Sequence, residues 1–167
     1  MAVRDFERFA QLHVIASVQP YQAIDDGRWA EARIGHDRAS RTYAFKTFLD
    51  HGVQLAFGTD WPVAPLDPML TLYAAVTRAT LDGKHPEGWF PEQKLTIEQA
   101  ISFYTMGSAY AEFQEHDKGS IEPGKLADLV LLDADVLSIP AAQLRNVHVL
   151  KTWLGGEQIY AAAATRE

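Results

Sequence analysis

Two short apolar runs do most to limit the folds open to this chain. "VIASV" (14–18) and "VQLAF" (53–57) are nearly continuous in apolar side chains and carry β-branched residues. A strand with one wet face alternates polar and apolar residues. A strand without alternation is covered on both faces. Between the runs, "ASRTYAFKTFLDHG" sets Tyr43, Phe45, Phe48 and Leu49 on one broad face, which predicts a helix over 39–51 stopped at Gly52. Buried strand, helix, buried strand implies adjacent parallel strands joined by a right-handed crossover, with helices covering the sheet.

The flanking segments extend this α/β pattern. "RDFERFAQL" spaces Phe6, Phe9 and Leu12 as a short amphipathic helix, and Pro20 ends the first strand. "YQAIDDGRWAEARIGHD" has no clear period and reads as an irregular loop with a helical turn. "LDPMLTLYAAVTRATLDG" opens with Asp67 as N-cap and Pro68 at the first helical position, and Met69, Leu72, Tyr73 and Val76 form its apolar stripe. "KHPEGWFPEQK" is a Pro- and Gly-rich loop. Thr96 and Gln99 make a capping box for a helix whose inner face is Ile97, Ala100, Ile101 and Tyr104. From Gly119 the character changes. A Pro-Gly turn at 123–124 precedes a strand over Leu126–Leu132, and "HVLKTWLGGEQIY" is a β unit with a tight hairpin at Gly155–Gly156. The tail "AAAATRE" is expected to fray.

Composition narrows the function classes. The formal net charge is −7, from 15 basic and 22 acidic residues, which argues against non-specific binding to nucleic acid or anionic membrane. The chain has no cysteine, so disulfides, thiolate metal sites and cysteine nucleophiles are excluded. No stretch has the length of a signal peptide core or a membrane span, and the expected location is cytoplasmic.

The chemistry centres on "LAFGTDWPV", where a buried strand ends and delivers Asp60 to a turn. On residue type alone, Asp60 is more often a turn cap than a functional group. Arg28, Trp29 and Arg33 follow the first strand, and a paired arginine and aromatic could hold a carboxylate or a ring, although a surface loop packed by its own tryptophan is slightly favoured. Trp61 and Pro62, and later Trp89 and Phe90, could wall a pocket, although aromatics in such loops more often pack locally. The histidines at 13, 36, 51, 85, 116 and 148 have no i, i+4 pair, so a structural or solvated role is favoured for each. His13 and His148 are expected at the core edge, and His51 at a helix C-terminus. Asp25–Asp26 and Asp133–Asp135 read as solvated turns. No G-x-S-x-G elbow or phosphate-binding glycine loop is present.

"VIASVQP", "LAFGTDWPVAPLDPMLTLYAAVTR", "LTIEQAISFYTMGSAYAEF" and "KGSIEPGKLADLVLLDAD" follow one another in an order that resembles the amidohydrolase superfamily, in particular the subgroup called amidohydrolase family 3. The resemblance covers roughly residues 4–160. It implies a metal-dependent hydrolase of C–N bonds other than peptide bonds, built as a (β/α)8 TIM barrel with an accompanying β-sandwich. It further implies that Asp60 is the strand-eight aspartate, bound to or beside a divalent metal such as zinc, and the catalytic proton carrier. Arg28, Arg33 and Trp61 become candidate contacts for a small-molecule substrate. The family's His-x-His pair is absent, so the resemblance implies only the C-terminal part of such an enzyme, inactive and without tight metal binding in isolation. Residues 1–118 would be the last strand–helix units of the barrel and 119–167 the β appendix. Such a part would leave Val18, Leu55 and Phe57 facing water and would need the missing N-terminal barrel part or self-association. The alternative is a non-catalytic remnant or interaction module of the same fold.

Overall fold

The computed structural model describes residues 1–163, an α/β structure with two small sheets. Helix α1 (Val3–Gln11) buries Phe6 and leads into strand β1 (Ala16–Val18). Three short helices follow: α2 (Pro20–Asp26), α3 (Ala30–Ile34) and α4 (His36–Ala39). Helix α5 (Phe45–Asp50) then returns the chain to strand β2 (Leu55–Phe57). As expected, β1 and β2 are parallel neighbours, in the register Ala16↔Leu55, Ser17↔Ala56 and Val18↔Phe57.

Helix α6 (Pro68–Thr77) starts where the sequence placed it, with the Asp67 side chain accepting from the Met69 N–H at 2.9 Å. Helix α7 (Ile97–Tyr104) opens with the reciprocal Thr96–Gln99 capping box. Helix α8 (Met106–Ala111) lies directly on β2. A Cβ added to Gly107 would sit 2.3 Å from the Leu55 carbonyl oxygen, and the Ser108 hydroxyl donates to the Phe57 carbonyl at 2.9 Å. The main core gathers Ala16, Leu55, Phe57, Met69, Leu72 and Ala100 between the strand pair and these helices.

Helix α6 ends at Arg78 in the left-handed region (φ 52°), with a fully buried side chain. Its Nε donates to the Trp89 carbonyl at 2.7 Å and Nη1 to the Tyr43 carbonyl at 3.0 Å, and the guanidinium lies against the Phe45 and Trp89 rings. Burial pushes its pKa down to about 10. Trp89 is itself buried beside Ala30 and Ala39, and with Phe90 it also lines an open cavity of 380 Å³ beside Glu31 and His36.

Beyond α8, the Lys125 ammonium donates to the Glu115 carbonyl at 2.6 Å and holds the Pro-Gly turn against the helix end. Strands β3 (Leu129–Leu132), β4 (Val149–Leu154) and β5 (Glu157–Ala161) form an antiparallel sheet in that order, with Gly155 and Gly156 in the predicted hairpin. An apolar cavity of 530 Å³ separates this sheet from α6 and α7, lined by Met69, Leu72, Ile101, Leu129, Trp153 and Ile159 among others.

Several expectations are corrected. Residues 21–37 are mostly helical, because Pro20, Ala23 and Ile24 bury one helical face and Gly27 and Gly35 punctuate the rest. The 39–51 helix is confined to Phe45–Asp50, since Tyr43 adopts φ 53° and breaks it. The three strand predictions were each too long. Leu55 and Phe57 are buried, not open to water, because α7 and α8 cover the β2 side. Exposed apolar residues lie elsewhere, at Val63, Phe113 and Ile121 and, on the antiparallel sheet, at Val130, Leu154 and Ile159. Ala161 belongs to β5, and residues 164–167 of the tail expected to fray lie outside the described residues. No described helix is long and apolar enough to cross a membrane.

Candidate functional site

Because β1 and β2 are parallel and in register, their C-terminal ends open on the same side. The last rung is the Gly58 N–H donating to the Val18 carbonyl at 3.2 Å. Beyond it the two chains diverge, β1 into α2 and β2 into a turn. Thr59 is buried, and its hydroxyl accepts from the Trp61 N–H at 3.3 Å. Asp60 then takes φ 64°, its carbonyl accepts from the Val63 N–H at 2.8 Å, and its carboxylate is exposed. The turn presents the carboxylate to solvent at the strand end, in the position the sequence suggested.

One side chain reaches that carboxylate from the helix that follows the other strand. Gln22, in the first turn of α2, donates from Nε2 to Asp60 Oδ2 at 2.8 Å. No ion pair among the described residues involves Asp60. Gln22 escaped the sequence reading because an amide neither titrates nor binds metal readily. The available signal was the register: Val18 opposite Phe57 sets 19–22 beside 58–61.

Trp61 is 64% exposed next to Asp60. Arg28 and Arg33 are not joined to Asp60 by any hydrogen bond among the described residues. Arg28 instead donates to the Asp25 carbonyl at 2.8 Å and pairs with the Asp25 carboxylate. Arg33 is exposed on α3. Trp29 is half exposed.

The other carboxylates are more engaged than solvated turns would be. Asp26 accepts from the Tyr43 hydroxyl at 2.5 Å, and burial, with Asp26 next, pushes the Tyr43 phenol well above its usual range. Asp133 Oδ1 accepts from the His148 N–H at 2.9 Å, and Oδ2 meets the His148 ring at 3.0 Å, which holds the Asp133 carboxyl below its usual range. His148 and His13 are exposed rather than at the core edge. His51 caps α5 as expected, with Nδ1 2.8 Å from the Thr47 carbonyl.

Among the described residues, no three His, Asp or Glu side chains converge to hold a metal ion. Asp60 stands alone, with one oxygen already engaged. These residues therefore do not by themselves fit a catalytic metal, which takes about three protein ligands.

Comparison with known proteins agrees with the arrangement. The protein LONG AFTER FAR-RED 3 of Arabidopsis thaliana is 36% identical over 154 residues, covering 92% of this chain and 26% of that protein. The N-substituted formamide deformylase of Arthrobacter pascens is 32% identical over 116 residues, covering 70% of this chain and 21% of that protein. A solved metal-dependent hydrolase from Pyrococcus horikoshii superposes with a TM-score of 0.75 at 35% identity, over 85% of this chain and 29% of that one. The chain thus spans under a third of each relative's length. The amidohydrolase family model matches residues 1–160, nearly the whole chain, and the chain belongs to that family.

Proposed function

We propose that this chain forms the C-terminal part of a metal-dependent hydrolase of amide or cyclic amide C–N bonds. Residues 1–118 complete a (β/α)8 barrel, and 119–167 contribute to a β-sandwich. The observation that carries the reading is the exposed Asp60 carboxylate at the C-terminal end of β2. Barrel enzymes build their active sites at that end of their strands. A parallel pair covered by helices and a separate antiparallel sheet support the same reading.

In the reaction, a water oxygen adds to the amide carbon and its proton passes to Asp60. The C–N bond then breaks, and Asp60 returns the proton to the departing nitrogen, leaving a carboxylic acid and an amine. A divalent ion, zinc by resemblance, would draw its other ligands from outside this chain and supply Lewis acidity. Trp61, next to Asp60 and exposed, is the best placed substrate contact. Arg33 is a second, and Arg28 a third once it releases Asp25. Residues 1–167 alone are inactive in this reading. The absence of a ligand cluster among the described residues also favours the second reading, a non-catalytic module of the same fold, for the chain in isolation.

The test is hydrolysis by the longest natural protein that carries this segment. N-methylformamide, hydantoin and dihydrouracil are the probes, with zinc supplied. Asp60→Asn is expected to lower kcat about 10²–10⁴-fold, the range for a positioned proton carrier. Full activity in Asp60→Asn, or no turnover of any probe, would sink the reading.

A further inference from the structure

Gln22 and Asp60 lie 38 residues apart in sequence and meet only because two parallel strands end side by side. Their contact is between unlike groups. Gln22 offers a neutral N–H donor, and Asp60 a carboxylate that makes no ion pair among the described residues. A hydrogen bond to a carboxylate is stronger than one between neutral groups, so even a partly exposed one restricts the acceptor's rotation. The backbone adds its own restriction. Asp60 sits at φ 64°, fixed by the Val63 N–H on its carbonyl, and Thr59 below it is buried. The side chain is thus held from two directions, and Oδ2 is occupied. Oδ1 has no protein donor among the described residues.

We infer that Gln22 is a positioning residue for Asp60: it ties Oδ2 and leaves Oδ1 as the oxygen that meets the reacting groups. This rests on the proposed hydrolase reading. Gln22 touches neither substrate nor water in this scheme and acts only through Asp60. Hydrogen-bonding partners behind a functional carboxylate typically contribute about 10–100-fold to activity or ligand affinity. Glutamine suits the position because its amide donates at every accessible pH, whereas a glutamate there would repel Asp60.

Two readouts separate this inference from the reading beneath it. The first needs no activity. In the 15N-labelled longest natural protein that carries the segment, the Gln22 side-chain amide is expected to give a shifted signal that moves to the free-glutamine position in Asp60→Ala. A Gln22 signal already at the free position would overturn the inference and leave the hydrolase reading standing. The second uses the longest natural protein carrying the segment, with the three probes and zinc. Gln22→Met keeps the length and removes the donor, and Gln22→Glu keeps the shape and reverses the interaction. Both are expected to lower kcat about 10–100-fold at nearly constant KM, with Glu the worse. An unchanged thermal midpoint in both would separate positioning from a folding defect. Unchanged kcat in Gln22→Met, or a change in KM alone, overturns the inference. A shifted Gln22 signal in a protein that turns over no probe means that the hydrolase reading has failed, and the positioning role fails with it.

Discussion

Gly107→Ala adds one methyl group where α8 touches β2, and the structure fixes what that methyl meets. The new Cβ would lie 2.3 Å from the Leu55 carbonyl oxygen, and real Cβ atoms essentially never come under 3.0 Å. Helix and strand must therefore separate by about 0.7 Å at least, the difference of the two distances. The obstacle is backbone, and it belongs to the first rung of the parallel pair, so it cannot swing aside as a side-chain tip would. The same shift would stretch the Ser108 Oγ to Phe57 O contact from 2.9 Å to about 3.6 Å, beyond hydrogen-bond range. Overpacking of this kind costs ~1–3 kcal/mol, and the lost hydrogen bond ~0.5–1.5 kcal/mol. Against them stands the helix preference of alanine over glycine, at most ~1 kcal/mol. The steric side wins by roughly 0.5–3.5 kcal/mol across these ranges, a drop in Tm of about 1–14 °C for a chain of this size. Thermal melts by circular dichroism, with Ser108→Ala as the hydrogen-bond control, would measure it. A Gly107→Ala variant that melts at or above the parent would refute the close approach, because propensity alone would then be acting.

The acid side of the stability curve should depend on Asp82. The Thr80 hydroxyl, with the Lys84 backbone N–H behind it, holds the Asp82 pKa down to about 2. A depressed carboxyl stabilises the fold above its unfolded pKa and loses that contribution as pH falls toward the folded value. The loss therefore falls between about pH 4 and 2, and Asp82→Asn should flatten the parent's Tm decline in that window; an equal slope in both proteins would remove Asp82 as a cause. For metal, calorimetry of the 167-residue chain with zinc at neutral pH should show no stoichiometric site of micromolar affinity, because no three ligands converge among the described residues. A tight one-to-one isotherm would show that a site assembles nonetheless.

What could be read in the sequence were features whose cause is local or strongly periodic. Asp67 and Thr96 announce helices because a cap needs only its next two or three residues. The hairpin at Gly155–Gly156 needs only its own positive φ values. The parallel strand pair was legible because burial on both faces removes alternation. The helices over 20–39 were not, because their buried faces join a single large apolar residue, Ile24, to Pro20 and the small Ala23, Ala30 and Ala39, which leaves no hydrophobic period. The helix at 39–51 was overextended because Tyr43 looks like part of an apolar stripe, while its carbonyl serves Arg78 and its hydroxyl serves Asp26. Arg78 itself reads as a surface cation in sequence; only the tertiary fold brings two carbonyls and two aromatic rings around it. At the candidate site, Asp60 was legible and its partner was not. A turn exposes its own carboxylate, whereas Gln22 becomes relevant only through the register of two distant strands.

That register carries a kinetic consequence. The β4–β5 hairpin closes between Leu154 and Glu157, a step of microseconds in isolated hairpins. The β1–β2 pair must first bring Ala16 to Leu55, 39 residues along the chain, at a closure entropy of ~3 kcal/mol by the logarithmic loop law. No contact within the pair offsets that cost until α5 has formed and the core residues have met. We therefore expect the parallel pair to be the late step of folding, visible as later amide protection in pulsed hydrogen exchange than in β4 and β5, and refuted by simultaneous protection. Gln22 and Asp60 straddle the late pair, so the carboxylate would acquire its partner only as the last strands come into line.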